Sequence, residues 1–95
     1  MRGIVLEVRG SKLCVYGNTY PLRKELRKIG FTWTGESWEY ELPVFEGDDK
    51  VNSVMIKQVK QVKQLAEELM FNFKIIKGRT VTYGQLEALQ QNNLL

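Results

Sequence analysis

Thr19–Leu42, TYPLRKELRKIGFTWTGESWEYEL, is the stretch whose reading decides the fold. Pro21 suits a first helical turn, where a missing N–H costs nothing. Leu22, Leu26 and Ile29 recur at spacings of 4 and 3, one stripe of a helix. Arg23, Lys24, Arg27 and Lys28 fall on the other side of it. Gly30 follows the last apolar position, where a left-handed residue commonly ends a helix. The chain then changes period. Phe31-Thr32-Trp33-Thr34 and Trp38-Glu39-Tyr40-Glu41-Leu42 both alternate, and Gly35-Glu36 between them fits a two-residue hairpin turn. That register sets Thr34 against Ser37, Trp33 against Trp38 and Phe31 against Tyr40. The aromatic residues and Leu42 then share one face, and the threonines, Ser37, Glu39 and Glu41 share the other.

Working outward, a second hairpin precedes this stretch. Gly3–Arg9 and Lys12–Tyr16 alternate about a Gly10-Ser11 loop, with Val8 opposite Leu13 and Val5 opposite Tyr16. Ile4, Leu6, Val8, Leu13 and Val15 form a core face. Val5, Glu7, Arg9, Lys12, Cys14 and Tyr16 form a mixed, basic one. Toward the C-terminus, Glu46-Gly47-Asp48-Asp49 reads as a polar loop and Asn52 or Ser53 as a helix cap. A long helix is expected over residues 53–77. Met55, Val59, Val62, Ala66, Leu69, Phe73 and Ile76 step by 4 and 3 in turn, a heptad stripe. Val54, Leu65 and Met70 widen that stripe, which suits packing on a sheet or a partner. Gly78 breaks the pattern. Thr82 with Gln85 three residues on matches a capping box for a short helix to Gln91.

The expected fold is therefore α+β. It is a four-stranded antiparallel sheet built from two hairpins, in the order β-β-α-β-β-α-α, with helices packed on one face. A single domain spans 1–95, with the sheet and basic helix in 3–50 and a helical part in 52–95. Leu6, Val8, Leu13, Val15, Leu22, Leu26, Ile29, Val62, Leu69 and Phe73 are expected to be buried together.

Composition narrows the function classes. Cys14 is the one cysteine and histidine is absent, so neither a disulfide within the chain nor a zinc site is expected. Cysteine–histidine and serine–histidine catalysis go with them. No apolar run approaches the about 18 residues of a membrane helix, and no secretory leader is seen, so a cytoplasmic protein without a membrane partner is expected. Glu39 and Glu41 read as solvated strand charges rather than an acid–base pair. No enzyme, metal or cofactor is expected.

The net charge is +3, unevenly spread. Residues 1–28 hold Arg2, Arg9, Lys12, Arg23, Lys24, Arg27 and Lys28 against Glu7 and Glu25, whereas 36–49 hold acids and no base. An anionic ligand should therefore meet the N-terminal part. Proteins that bind single strands join a basic groove to aromatic stacking platforms. The candidates are Arg9 and Lys12 at a hairpin tip, Tyr16, the helix face of Arg23, Lys24, Arg27 and Lys28, and Trp33, Trp38 and Tyr40. The same aromatic residues also suit a small domain's core, and the same bases a solvated helix face. The two together within one short stretch favour a groove with an aromatic floor and a basic rim.

The run Tyr20-Pro21, Leu22, Leu26, Ile29-Gly30-Phe31-x-Trp33 and Trp38-x-Tyr40 resembles a module of archaeal DNA-binding proteins of the ThermoDBP type and their shorter relatives. The resemblance covers roughly residues 3–42. It implies a small four-stranded sheet with helices, binding of single-stranded DNA or RNA through an apolar cleft with basic edges, and helical self-association. A homo-oligomer through the 53–77 helix agrees with it. The alternative is a protein–protein assembly module, viral or accessory to an enzyme, that uses the long helix and leaves the sheet inert.

Overall fold

The computed structural model describes residues 2–43 and 48–95. Among them are β1 (Gly3–Val8), β2 (Lys12–Gly17), α1 (Arg23–Lys28), β3 (Thr32–Trp33), β4 (Trp38–Glu41), α2 (Asp48–Glu68), β5 (Asn72–Lys77) and α3 (Tyr83–Gln91). A single 3-10 turn over Tyr20–Leu22, with Pro21 in it, leads into α1. The fold is α+β, but the sheet is five-stranded and mixed, in the order β3-β4-β2-β1-β5. This corrects the expected four-stranded antiparallel sheet and its element order. The fifth strand lies inside the segment expected to be helical.

Both hairpins keep their expected registers. Val8 pairs with Leu13, Val5 with Tyr16 and Trp33 with Trp38. The hairpins join through β2 and β4, where Leu13 meets Tyr40 and Val15 meets Trp38. Gly35 has φ +98, the left-handed conformation its tight turn needs.

The new strand is β5. It runs parallel to β1, with Ile4 beside Phe73 and Leu6 beside Ile75. A parallel neighbour needs a crossover rather than a hairpin. Here α2 carries the chain from β4 across β2 and β1 to the far edge of the sheet.

Why α2 stops at Glu68 instead of running to residue 77 is visible in its backbone. Met70 has φ +58. Its N–H donates to the Glu67 carbonyl at 3.0 Å, and the Phe71 N–H donates to the Ala66 carbonyl at 2.8 Å. This is the Schellman arrangement that closes helices with one left-handed residue. α1 ends the same way, with Gly30 at φ +101 and Phe31 bonded back to Leu26; so does α3, with Asn93 at φ +57 and Leu94 bonded back to Leu89. Each is followed by an apolar residue that folds onto the helix it has left. Glycine and asparagine adopt this conformation readily, whereas methionine does so at a cost.

The heptad stripe is thus two things. Met55, Val59, Val62 and Ala66 are helical and fully buried, while Phe73 and Ile76 lie on β5 and point to opposite faces of the sheet. Leu69, expected in the core, is 48% exposed at the helix end. The helical part of the stripe is buried in the chain's own core. The start of α2 also differs. The helix begins at Asp48, a turn before the expected caps Asn52 and Ser53; Glu46 and Gly47 of the expected loop lie outside the described residues.

Buried residues of all three helices meet Ile4, Leu6, Val8, Leu13 and Val15 on one side of the sheet. Two glutamines complete that layer. Gln58, buried on α2, donates to the Ile29 carbonyl at 2.7 Å and holds α2 against the end of α1. Gln85, in the expected capping box with Thr82, also donates to the Gly10 carbonyl at 2.6 Å. It ties α3 to the β1–β2 turn.

Candidate functional site

α1 lies beside the β3–β4 hairpin because Leu22 and Leu26 are buried in the core and Phe31 closes the helix against it. That packing turns Arg23 and Arg27 toward the hairpin. Between them is a cleft of about 410 Å³ lined by Gly17, Asn18, Thr19, Tyr20, Arg23, Arg27, Trp33 and Trp38. Trp38 is its floor, 4% exposed and part of the core. Trp33, directly across the hairpin with ring centroids 5.4 Å apart, is 47% exposed. The Arg27 guanidinium carbon lies 5.5 Å from the Trp38 ring centroid, and that of Arg23 lies 3.9 Å from the Tyr20 ring centroid. Both are cation–π distances. Arg23 Nη1 also donates to the Tyr20 carbonyl at 2.9 Å.

These contacts orient the two arginines without neutralising them. Among the described residues the ion pairs join Arg9 to Glu7, Lys12 to Glu39 and Lys63 to Glu67; none involves Arg23 or Arg27. A guanidinium has five N–H donors, so most of their capacity remains for a ligand.

The expected site residues divide. Arg23, Arg27, Trp33 and Trp38 come together in the cleft. Lys24 and Lys28 are exposed on α1 but do not line it. Tyr40 packs against Phe31, with ring centroids 5.5 Å apart, and closes over Gly30. Arg9, Lys12 and Tyr16 belong to the opposite face of the sheet. There Arg9 bonds Glu7 at 2.6 Å and Lys12 bonds Glu39 at 3.1 Å. The Glu7 hydrogen bond holds the Arg9 guanidinium above its ordinary value. Each of these two bases is thus held by a carboxylate and lies away from the cleft.

Cys14 sits on this same face yet is fully buried, between Glu7 and Glu39 on the neighbouring strands. Burial pushes its thiol up, against the smaller opposing effect of Arg9. This is the setting of an inert structural cysteine.

Gly17, Asn18, Thr19 and Tyr20 line the cleft although the sequence did not mark them as site residues, and Tyr20 is the aromatic one among them. It is 70% exposed at the start of the 3-10 turn. Its signal was its place three residues before Arg23, which puts ring and guanidinium on one side of a helical turn.

Among the described residues no helix is long and apolar enough to cross a membrane. No protein-family model, curated protein or solved structure matches the chain. The resemblance to the ThermoDBP type therefore rests on the residues quoted for it.

Proposed function

We propose that the cleft between α1 and the β3–β4 hairpin binds single-stranded DNA or RNA without sequence preference. The observation that carries this reading is that Arg23 and Arg27, both without an acidic partner among the described residues, line one cleft with the half-exposed ring of Trp33. The guanidiniums take phosphate oxygens in charge-assisted hydrogen bonds. Trp33 offers a π-face to a base of any identity, a contact worth about 1–3 kcal/mol. The lining residues are basic, aromatic and small polar, a set that suits binding of an anionic ligand. A cytoplasmic setting, and what the resemblance to the ThermoDBP type implies, agree with this reading.

Intrinsic tryptophan fluorescence tests it. Adding a single-stranded oligonucleotide should quench Trp33, less so as salt is raised. The Trp33→Leu variant, which keeps Trp38, should lose most of the change. An unchanged spectrum at low salt would remove the proposal.

A second reading, assembly with other chains, has its own observation. Leu69 is 48% and Met70 92% exposed, next to β5 at the edge of the sheet. An edge strand with apolar neighbours is a place for a further chain to pair. This would be the assembly module, with its contact moved from the helix stripe to the end of α2. A strictly monomeric mass by light scattering at high concentration argues against it.

A further inference from the structure

We infer that the cleft holds the end of a strand, a terminal nucleotide bearing a phosphate monoester, rather than a continuous run of backbone; this rests on the nucleic-acid reading of the same cleft. Three observations point there. The first is size. At about 410 Å³ the cleft is at the small end of the range, about 300–1,000 Å³, in which single small molecules sit. OB folds that track single strands, by comparison, engage about 4–16 nucleotides each.

The second is that the track does not continue. Lys24 and Lys28 lie on α1 off the cleft, and Arg9 and Lys12 are tied to Glu7 and Glu39 on the opposite face of the sheet. Stacking does not continue either. Trp38 is buried, Arg23 covers one face of the otherwise exposed Tyr20 ring, and Trp33 is the one exposed indole of the cleft. One base on the indole and its phosphate on the two guanidiniums match this set.

The third is charge. Arg23 and Arg27 are one helical turn apart and face a single small volume. A phosphate monoester carries about −1.5 to −2 charges near neutral pH, whereas an internal phosphodiester carries one. Two unpaired guanidiniums in one place match the dianion, and their planar donor forks suit its several oxygens.

The test compares short deoxythymidine strands of one length by competition and by quenching of tryptophan fluorescence. The strands are linear with a 5′-phosphate, linear with a 3′-phosphate, linear with no terminal phosphate, and closed into a circle. One phosphorylated linear strand should bind about tenfold or more tightly than the circle, which has no monoester to form the charge-assisted hydrogen bonds. Thymidine monophosphate should compete better than inorganic phosphate. Arg23→Gln and Arg27→Gln should abolish the preference for the phosphorylated end, and Lys24→Gln should keep it. If the circle and the linear strands bind alike, the end-binding inference is overturned and the nucleic-acid reading stands. The same holds if the phosphate-free strand matches the phosphorylated ones, or if inorganic phosphate competes as well as the nucleotide. If no strand binds, both fall.

Discussion

Replacing Met70 by glycine should stabilise the protein, although it removes a large apolar side chain. Met70 holds φ +58 and is 92% exposed. A left-handed backbone costs a residue with a Cβ about 1–2 kcal/mol. Glycine escapes that cost but gives up about 0.5–1 kcal/mol through the freedom of the unfolded chain. Little burial is lost at an exposed position. The balance is a gain of about 0.5–1 kcal/mol, which for a domain of this size raises Tm by about 2–8 °C. Thermal melts by circular dichroism, with urea midpoints as a second measure, read it directly. Gln64→Gly, at an exposed position within α2, is the comparison and should cost about 1 kcal/mol. The two glycines should therefore act with opposite sign. If residue 70 lay inside a continuous helix, Met70→Gly would destabilise as Gln64→Gly does, and that result would refute both the helix end and the fifth strand that depends on it.

Other expectations concern packing and ionisation. Leu26→Ala empties a fully buried site where α1 meets the core and should cost about 2–5 kcal/mol in urea unfolding. Gln85→Ala removes both its share of the capping box and its bond to the Gly10 carbonyl, so the urea midpoint should fall by the equivalent of about 1–3 kcal/mol. Cys14 should resist a thiol reagent in the folded protein and react on unfolding. Because burial raises its folded value above the ordinary 9.0, the folded state keeps its proton longer than the unfolded one. That contribution is intact below the unfolded value and is lost as the pH rises through the folded one. Cys14→Ala should flatten this alkaline decline.

The difference between what the sequence disclosed and what it hid follows from the residues at the boundaries. The hairpins were legible because period-two alternation met glycine at both turns. The end of α1 was legible because Gly30 is the residue that conformation favours. The end of α2 was hidden because Met70 takes the same conformation without the residue type that announces it. Phe73 and Ile76, three apart, continued the helical count by coincidence. The competing signal was the Asn72–Lys77 run NFKIIK, with Phe73 and Ile75 facing one side and adjacent isoleucines favouring a strand. In the cleft, Arg23, Arg27, Trp33 and Trp38 were legible as types in the right order. The separation of Arg27 from Lys28 was not. It depends on how Leu22 and Leu26 rotate a short helix against the core. The loss of Arg9 and Lys12 to ion pairs depends on the join of β2 to β4, which lies between the two hairpins rather than within either.

Whether Arg23 and Arg27, rather than the basic helix as a whole, make the binding site is tested by comparing two double variants. Arg23→Gln with Arg27→Gln and Lys24→Gln with Lys28→Gln remove equal charge from the same short helix. Each is checked first for a Tm close to that of the parent, then titrated with a single-stranded oligonucleotide at several salt concentrations. The arginine pair should lose most of the affinity and flatten the salt dependence by about 0.7 for each phosphate contact removed, while the lysine pair stays near the parent in both. Equal losses in the two variants, or none in either, would contradict it.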